Sequence, residues 1–475
     1  LGVVRRYVWL GLQVVGWLAF AGYRIGEATA FGPAVWEDSE AYHAAAAHGW
    51  LSTGLWTGTR APGTPVLFKL IGGSYAHYAI AQAVVGALAW GFLAWTASRF
   101  AAPGWRGLAA SWAVLAFATA PLVAQWDWSA LSESPSLSAL AVLCALGLWT
   151  VQRFTRVRLA ALALAALAYV ALRDAEIWGV ALVGVVLVVA GAGRILTGAA
   201  VAKRGVVDTV RRNYGAARPA LAVGAALVAV GSLAALAANA SHRNVENIED
   251  VFYVRVFPFP GRVAWFAAHG MPDAKAIDAE AAATSAPAGM AKLVVPDVAL
   301  PAWRPLGRWL AHRAQTTYAL YLVTNPAYVL SAPFDAPPLT FDNADGMLAF
   351  YEPPGRALPV FETVLAPGKV VVALEAVLAV VVALTRGLDR DRVWRFTVAF
   401  AVVGLLTMLV AWHGDGQEVT RHMVEGSVEV RLGVLLALLV ALLVPGSWWR
   451  GASRPTDPHT GADRDPDPLF VTMGG

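Results

Sequence analysis

Charge and cysteine are what this chain has least of. Asp, Glu, Lys and Arg together make up 14% of its 475 residues, where soluble domains carry about 25%. Hydrophobic residues reach 58%, and the mean hydropathy is +0.56. That balance excludes a water-soluble globular protein. The single cysteine, Cys144, lies in an apolar run, so an intrachain disulfide is excluded. One cysteine and scattered histidines build no zinc site. No GxxxxGK[ST] loop is present, which argues against an ATP-driven pump. A G-x-S-x-G nucleophile elbow is also missing. GAGRI (191–195) ends an apolar run and is too lipid-bound to be a dinucleotide loop. The net charge of +4 comes from short basic loops between apolar runs, and no nucleic acid is implied as a partner.

What remains is a set of long apolar runs. Ten of them cover approximately 6–24, 76–97, 107–125, 135–152, 158–172, 177–196, 219–239, 367–385, 393–412 and 429–447. Each is long enough to approach the thickness of a bilayer core, about 30 Å. A lipid-exposed backbone must satisfy its own hydrogen bonds, and the runs lack the short alternation of a barrel. The fold class expected is therefore an all-α polytopic membrane protein with about ten transmembrane helices. Arg5 and Arg6 precede the first span, and a small-residue cleavage site does not follow it, so it reads as an anchor rather than a signal peptide. Every second loop is basic: Arg99 and Arg106; Arg153, Arg156 and Arg158; Lys203, Arg204, Arg211 and Arg212; Arg386, Arg390, Arg392 and Arg395. Those loops belong in the cytoplasm, with both chain ends. Four regions follow: a membrane module over 1–239, an outer cap over 240–366, three further spans over 367–447, and a disordered cytoplasmic tail over 448–475. Arginine outnumbers lysine and alanine and valine dominate the runs, which suits a GC-rich bacterial source and a plasma-membrane location.

Polar residues of chemical interest gather in the other set of loops. The first outer loop, 25–75, opens with WEDSEAYHAAAAHGW (36–50) and continues to Arg60 and PGTPVLFKLIG (62–72). Short interfacial helices are expected over 39–48 and 62–72. Asp38 then falls at the start of the first. Two readings stay open there. Asp38 is a plain helix N-cap, with Glu40 complementing the helix dipole. Alternatively it is the base of a transfer reaction, with Arg60 and Lys69 as cations for a phosphate. Two short outer turns carry DWSALSES (127–134) and RDAE (173–176), and the last outer loop reads HGDGQEVTRHMVEG (413–426). Glu133 has the alternative of capping the fourth span, and Arg173 of neutralising Asp174. Glu375, inside the eighth span, is costly in lipid and is a functional candidate without an assigned role. In the cap, Trp303, Leu306, Leu310, Ala314, Thr317 and Tyr321 share a helical face, with Arg304, Arg308 and His312 opposite.

Taken together, Glu37 and Asp38, Tyr42 with Ala44 to Ala47, the Arg-Ala-Pro-Gly-Thr-Pro stretch (60–65), Ser-Glu-Ser-Pro (132–135), Arg173 and the Arg421–His422 pair resemble the GT-C superfamily of membrane glycosyltransferases. The likeness is to its protein-mannosyltransferase and aminoarabinose-transferase branch, and it covers mostly residues 1–180. It implies an inverting glycosyltransferase on the outer face. The donor would be a polyprenyl-phosphate sugar and the acceptor a hydroxyl of a glycan, lipid or protein. Carried over by position, Asp38 is the base, with Glu37 second. Arg60, Arg173 and Arg421 are donor-phosphate candidates, followed by Lys69 and His422. Glu40, His43 and Glu133 are candidates for substrate contact. No cofactor is implied, and an unambiguous Asp-x-Asp for a divalent metal is missing. The alternatives are a transporter or flippase of polyprenyl-linked lipid and a lipid-linked glycan ligase. A transporter would carry ionisable residues near the midplane or paired interrupted helices. The sequence shows almost none apart from Glu375.

Overall fold

The computed structural model describes residues 2–58, 60–101, 104–201, 206–241, 243, 245–285, 293–298, 300–335, 368–388, 391–416 and 419–444. The tail over 448–475, residues 336–366 of the expected cap and one end of each of two expected spans (367 and 445–447) therefore lie outside the described residues. Among those described, every regular element is helical and none is a strand. Helices occupy all ten expected segments. Seven of them are long and apolar enough to cross a membrane: Tyr7–Phe31, Tyr75–Phe100, Glu133–Gln152, Glu176–Leu196, Ala217–Ala240, Arg392–Gly414 and Val424–Leu443. Arg156–Leu172 and Lys369–Thr385 have 17 residues each, about 25 Å at 1.5 Å per residue. They are the short members of the set.

The third expected span is not one rod. Trp105–Ala118 and Pro121–Trp128 meet at 64°. Pro121 supplies no N–H and its ring cannot follow a preceding helical turn, so the helix ends and restarts there. Broken backbone inside a membrane protein needs partners. Gln82 provides them, its Nε2 lying 3.1, 2.6 and 2.6 Å from the carbonyls of Trp126, Asp127 and Ser129. The Asp127 carboxylate is buried and takes Arg24 of the first span and the Ser134 hydroxyl at 2.5 Å. Ala34 and Ser129 add a parallel backbone bridge. The DWSALSES turn is thus a buried joint between the first span and the broken helix, where the sequence suggested an outer turn.

Two helices are central. Val424–Leu443 and Glu133–Gln152 have 78% and 67% of their apolar stretch buried, against 11% for the first span. Lipid tails are as apolar as side chains, so close van der Waals packing through small residues must hold such helices. Gly404 supplies it: a Cβ there would come within 2.7 Å of Val430 N and Gly426 O. Gly184 and Gly224 cross in the same way between Glu176–Val201 and Val206–Ala240.

The cap has its own apolar core, including Phe252, Phe257, Phe266, Ile277, Leu306, Leu310, Tyr318 and Tyr321. Its long helical stretch runs as Arg304–Trp309, a π turn over Leu310–Ala314 and Gln315–Thr324. The buried positions after the turn are Ala314, Tyr318 and Tyr321, and Thr317 is only half-buried. Leu306, Leu310, Ala314 and Tyr321 are buried as expected, and only at Thr317 does burial pass to the neighbouring residue, Tyr318. Arg304, Arg308 and His312 are exposed as expected.

Candidate functional site

The first outer loop sets two short helices side by side, Glu37–Ala47 and Gly63–Leu70, with a single helical turn, Thr53–Trp56, between them in the chain. Ser39 starts the first one, its hydroxyl accepting the Trp36 N–H at 3.0 Å. Trp36 occupies the N-cap position and Asp38 lies inside the first turn, so the reading of Asp38 as an N-cap is overturned. The second helix docks through Gly63, where a Cβ would stand 2.7 Å from the Ala171 carbonyl. That contact brings the loop against the end of Arg156–Leu172, directly before Arg173.

Asp38 is held between two arginines. Its Oδ1 lies 2.7 Å from Arg60 Nη2 and its Oδ2 2.7 Å from Arg421 Nη1. Arg421 also donates through Nε to Glu133 Oε1. That same oxygen stands 3.5 Å from Arg173 Nη1, which donates to Glu425 Oε1. The result is one row, Arg60–Asp38–Arg421–Glu133–Arg173–Glu425, with positive and negative groups alternating. Each member comes from a different segment, and Glu133 and Glu425 open the two central helices. Burial deepens along the row: Arg60 is 30% exposed, Asp38 17%, and Glu133 and Glu425 are at 0%.

This geometry sets the charge states. Burial pushes the Asp38 carboxyl up, but the Arg421 and Arg60 guanidiniums outweigh it and hold it below the usual carboxylate range. Asp38 is ionised at neutral pH. Burial pushes Arg173 down, and Glu425 and Glu133 overcompensate, so it stays charged. Burial raises the Tyr42 phenol, which remains a donor and reaches Ser132 Oγ at 3.3 Å. Removing one partner of a buried ion pair strands the other at a cost of about 3–5 kcal/mol. The inner part of the row is therefore a structural clamp, and its outer end, at Arg60 and Asp38, is the part open to solvent.

Five of the sequence candidates come together here: Asp38, Arg60, Glu133, Arg173 and Arg421. His422 stands beside them, its Nδ1 paired with Asp415. The others are placed differently. Glu37 and Glu40 are exposed on the first helix. His43 is exposed and packs on Tyr75, with ring centroids 5.2 Å apart. Lys69 donates to the carbonyls of Ala46 at 3.0 Å and His48 at 2.7 Å. It caps the far end of that helix, about 12 Å along the axis from Asp38. Arg173 does not neutralise Asp174, which is bound by Arg243 at 2.8 Å. Glu425 was missed by sequence reasoning. Its spacing of four from Arg421 was a signal, although the fold pairs it with Arg173 instead. The last span also starts earlier than expected and takes in Glu425; Glu429 and Arg431 already fell within the expected bounds, and all three are buried. Glu429 accepts from Thr407 at 2.9 Å. Among the described residues, no group of three or more His, Cys, Asp or Glu is arranged to hold a metal ion.

The sequence matches no protein-family model and no curated protein.

Proposed function

We propose that the chain is an inverting glycosyltransferase of the GT-C type, embedded in a bacterial plasma membrane with both ends cytoplasmic. It moves a sugar from a polyprenyl-phosphate carrier to a hydroxyl of a glycan, lipid or protein on the extracytoplasmic face. The observation that carries this reading is the placement of Asp38. Of three carboxylates in the first turn of one helix, it alone is seated between two arginines, at the open end of a buried charge row.

In this reading the acceptor hydroxyl gives its proton to Asp38. Its oxygen bonds to the anomeric carbon as the carbon–oxygen bond to phosphate breaks on the opposite face. The electron pair leaves with polyprenyl phosphate. Arg60, the most exposed arginine of the row, meets that developing charge with a two-pronged donor. A base held far below neutral pKa is a weak one. A phosphate that draws Arg60 away removes one neutralising partner and strengthens Asp38 as donor binds. Arg421, Glu133, Arg173 and Glu425 act as positioning residues that keep Asp38 in place.

The test is turnover of a panel of polyprenyl-phosphate sugars by wild type and Asp38→Asn in lipid, with release of polyprenyl phosphate as the readout. Loss of general-base help should slow the mutant by roughly 10²–10⁴-fold with donor binding retained. Equal turnover by both would remove Asp38 from the chemistry. One observation favours a second reading, transport of a lipid-linked sugar: Glu429 and Arg431 lie within a membrane helix, where ionisable groups mark pathways. Movement of donor between leaflets without its consumption would select that reading.

A further inference from the structure

Arg255 poses a problem that the Asp38 row does not. It stands on a five-residue π turn, Phe252–Val256. Such turns carry one extra residue, re-aim side chains and occur frequently at functional sites. Arg255 is 4% exposed, and its guanidinium carbon lies 3.4 Å from the centre of the Trp412 ring. Among the described residues, none of its three guanidinium nitrogens donates a hydrogen bond. A guanidinium carries five N–H groups in a fixed plane, and a ring beneath it answers the charge without accepting those hydrogens. Burial pushes its pKa down to about 10, opposed by Tyr318, Tyr328 and Asp415, so it is still a cation at pH 7.

The surroundings supply charge of the same sign. Arg262 donates to the Arg255 carbonyl and covers the rings of Phe259 and Tyr328, at 3.9 and 4.7 Å. The carboxylate on this side, Asp415, is engaged by His422. Tyr318 adds a hydroxyl, 3.4 Å from His413 Nδ1. Arg262 is half-buried and Phe259 is 42% exposed, so these two form the solvent side.

We infer that Arg255 and Arg262 form an anion subsite for a phosphoryl group, with Trp412 as its floor and the Tyr318 and Tyr328 rings at its wall. Two neighbouring arginines match a dianion better than a carboxylate. The planar fork of Arg255 presents paired donors to two oxygens of one group. In the Asp38 row each arginine is already matched by a carboxylate, and an incoming phosphate must displace one. At Arg255 it displaces none. The two places are joined through His422, which pairs with Asp415 and follows Arg421 in the chain. The subsite does not rest on the glycosyl-transfer reading, because phosphoryl binding is measurable without any sugar. A lipid headgroup and a free phosphate present the same chemistry to it.

The experiment uses the full chain in maltoside micelles, with inorganic phosphate in one arm and phosphatidic acid doped into the micelles in the other. Amide hydrogen exchange over 251–257 and 411–416 is followed, together with thermal unfolding. Protection by inorganic phosphate assigns a small anion, and protection by phosphatidic acid alone assigns a lipid headgroup. In either arm Arg255→Met should bind roughly tenfold weaker or worse, as expected for lost hydrogen bonds to a charged group. Arg255→Lys keeps the charge without the fork; it should weaken binding and fold normally, so it serves if the Met variant does not fold. Arg304→Met, on the exposed face of the cap, should bind like wild type. Without ligand, Arg255→Met should unfold at the same or a higher temperature, since an unpaired buried cation is gone. No protection in either arm overturns the subsite. So does unchanged binding by both Arg255 variants, which would leave the Trp412 stacking as a packing contact only.

Discussion

In the Asp38 row every arginine meets a carboxylate, whereas in the outer cap Arg255 is buried against a ring and donates nothing among the described residues. The row joins six separate segments, and its charges cancel. The cap sets Arg262 beside Arg255, and Asp415 is engaged by His422. The difference teaches what each kind of burial is for. Compensated charge fixes the ends of helices relative to one another, because stranding either partner is costly. A buried guanidinium that faces a ring and has no hydrogen-bond acceptor among the described residues is left open to an anion. Only at its outer end, at Arg60 and Asp38, does the row share the openness of a binding site.

The comparison breaks most visibly at Asp38. Asp38→Asn keeps shape and removes the base, and turnover should fall by roughly 10²–10⁴-fold in the donor assay. Next in size is Glu425→Gln, which leaves Arg173 only its longer contact with Glu133, at 3.5 Å, and should cost up to about 3–5 kcal/mol in denaturant unfolding. Arg255→Met, by contrast, should cost nothing in the same measurement. Equal losses in the two variants would erase the distinction between row and cap. Gly404→Val forces a side chain into the Val430 and Gly426 backbone. It should destabilise by about 1–3 kcal/mol and lower turnover by displacing Glu425.

The pH dependence is a smaller effect. Asp38 titrates lower in the folded chain than its unfolded value of about 3.9. Its ion pairs therefore stabilise fully above that value, and the stabilisation is lost as pH falls through the lower folded value. Unfolding free energy contributed by Asp38 should be flat from neutral pH down to about 5. The acid limb of kcat/KM should lie below the usual carboxylate range, and Arg60→Ala should move it upward. The smallest effect is expected for Glu37→Gln, an exposed position, where stability should stay within about 0.5 kcal/mol.

Much of this arrangement was legible in the residues. Hydropathy alone located a helix in all ten segments, since a run of apolar residues in lipid has few other backbone solutions. Acidic and basic residues in the first outer loop pointed to Asp38 and Arg60. The failures have local causes. Pro121 split a span that read as continuous, because a hydropathy window averages over a single proline. In the cap helix Tyr318 is buried rather than Thr317, because both follow Ala314 at helical spacing and the pattern alone does not choose between them. Arg24 and Asp127 looked like the end of a span and part of a surface turn, and they pair with each other in the interior.

By itself, the sequence determined that the chain is helical and rich in membrane-length apolar helices, and which loop holds Asp38 and Arg60, because those properties follow from neighbours in the chain. Only the tertiary structure decided which carboxylate is engaged. Asp38 and Arg421 are 383 residues apart, Glu133 and Arg421 are 288 apart, and Arg173 and Glu425 are 252 apart. No local pattern links such partners. They meet because glycine crossings seat the last helix and Gly63 seats the first loop, so that buried charges find one another where water cannot answer them.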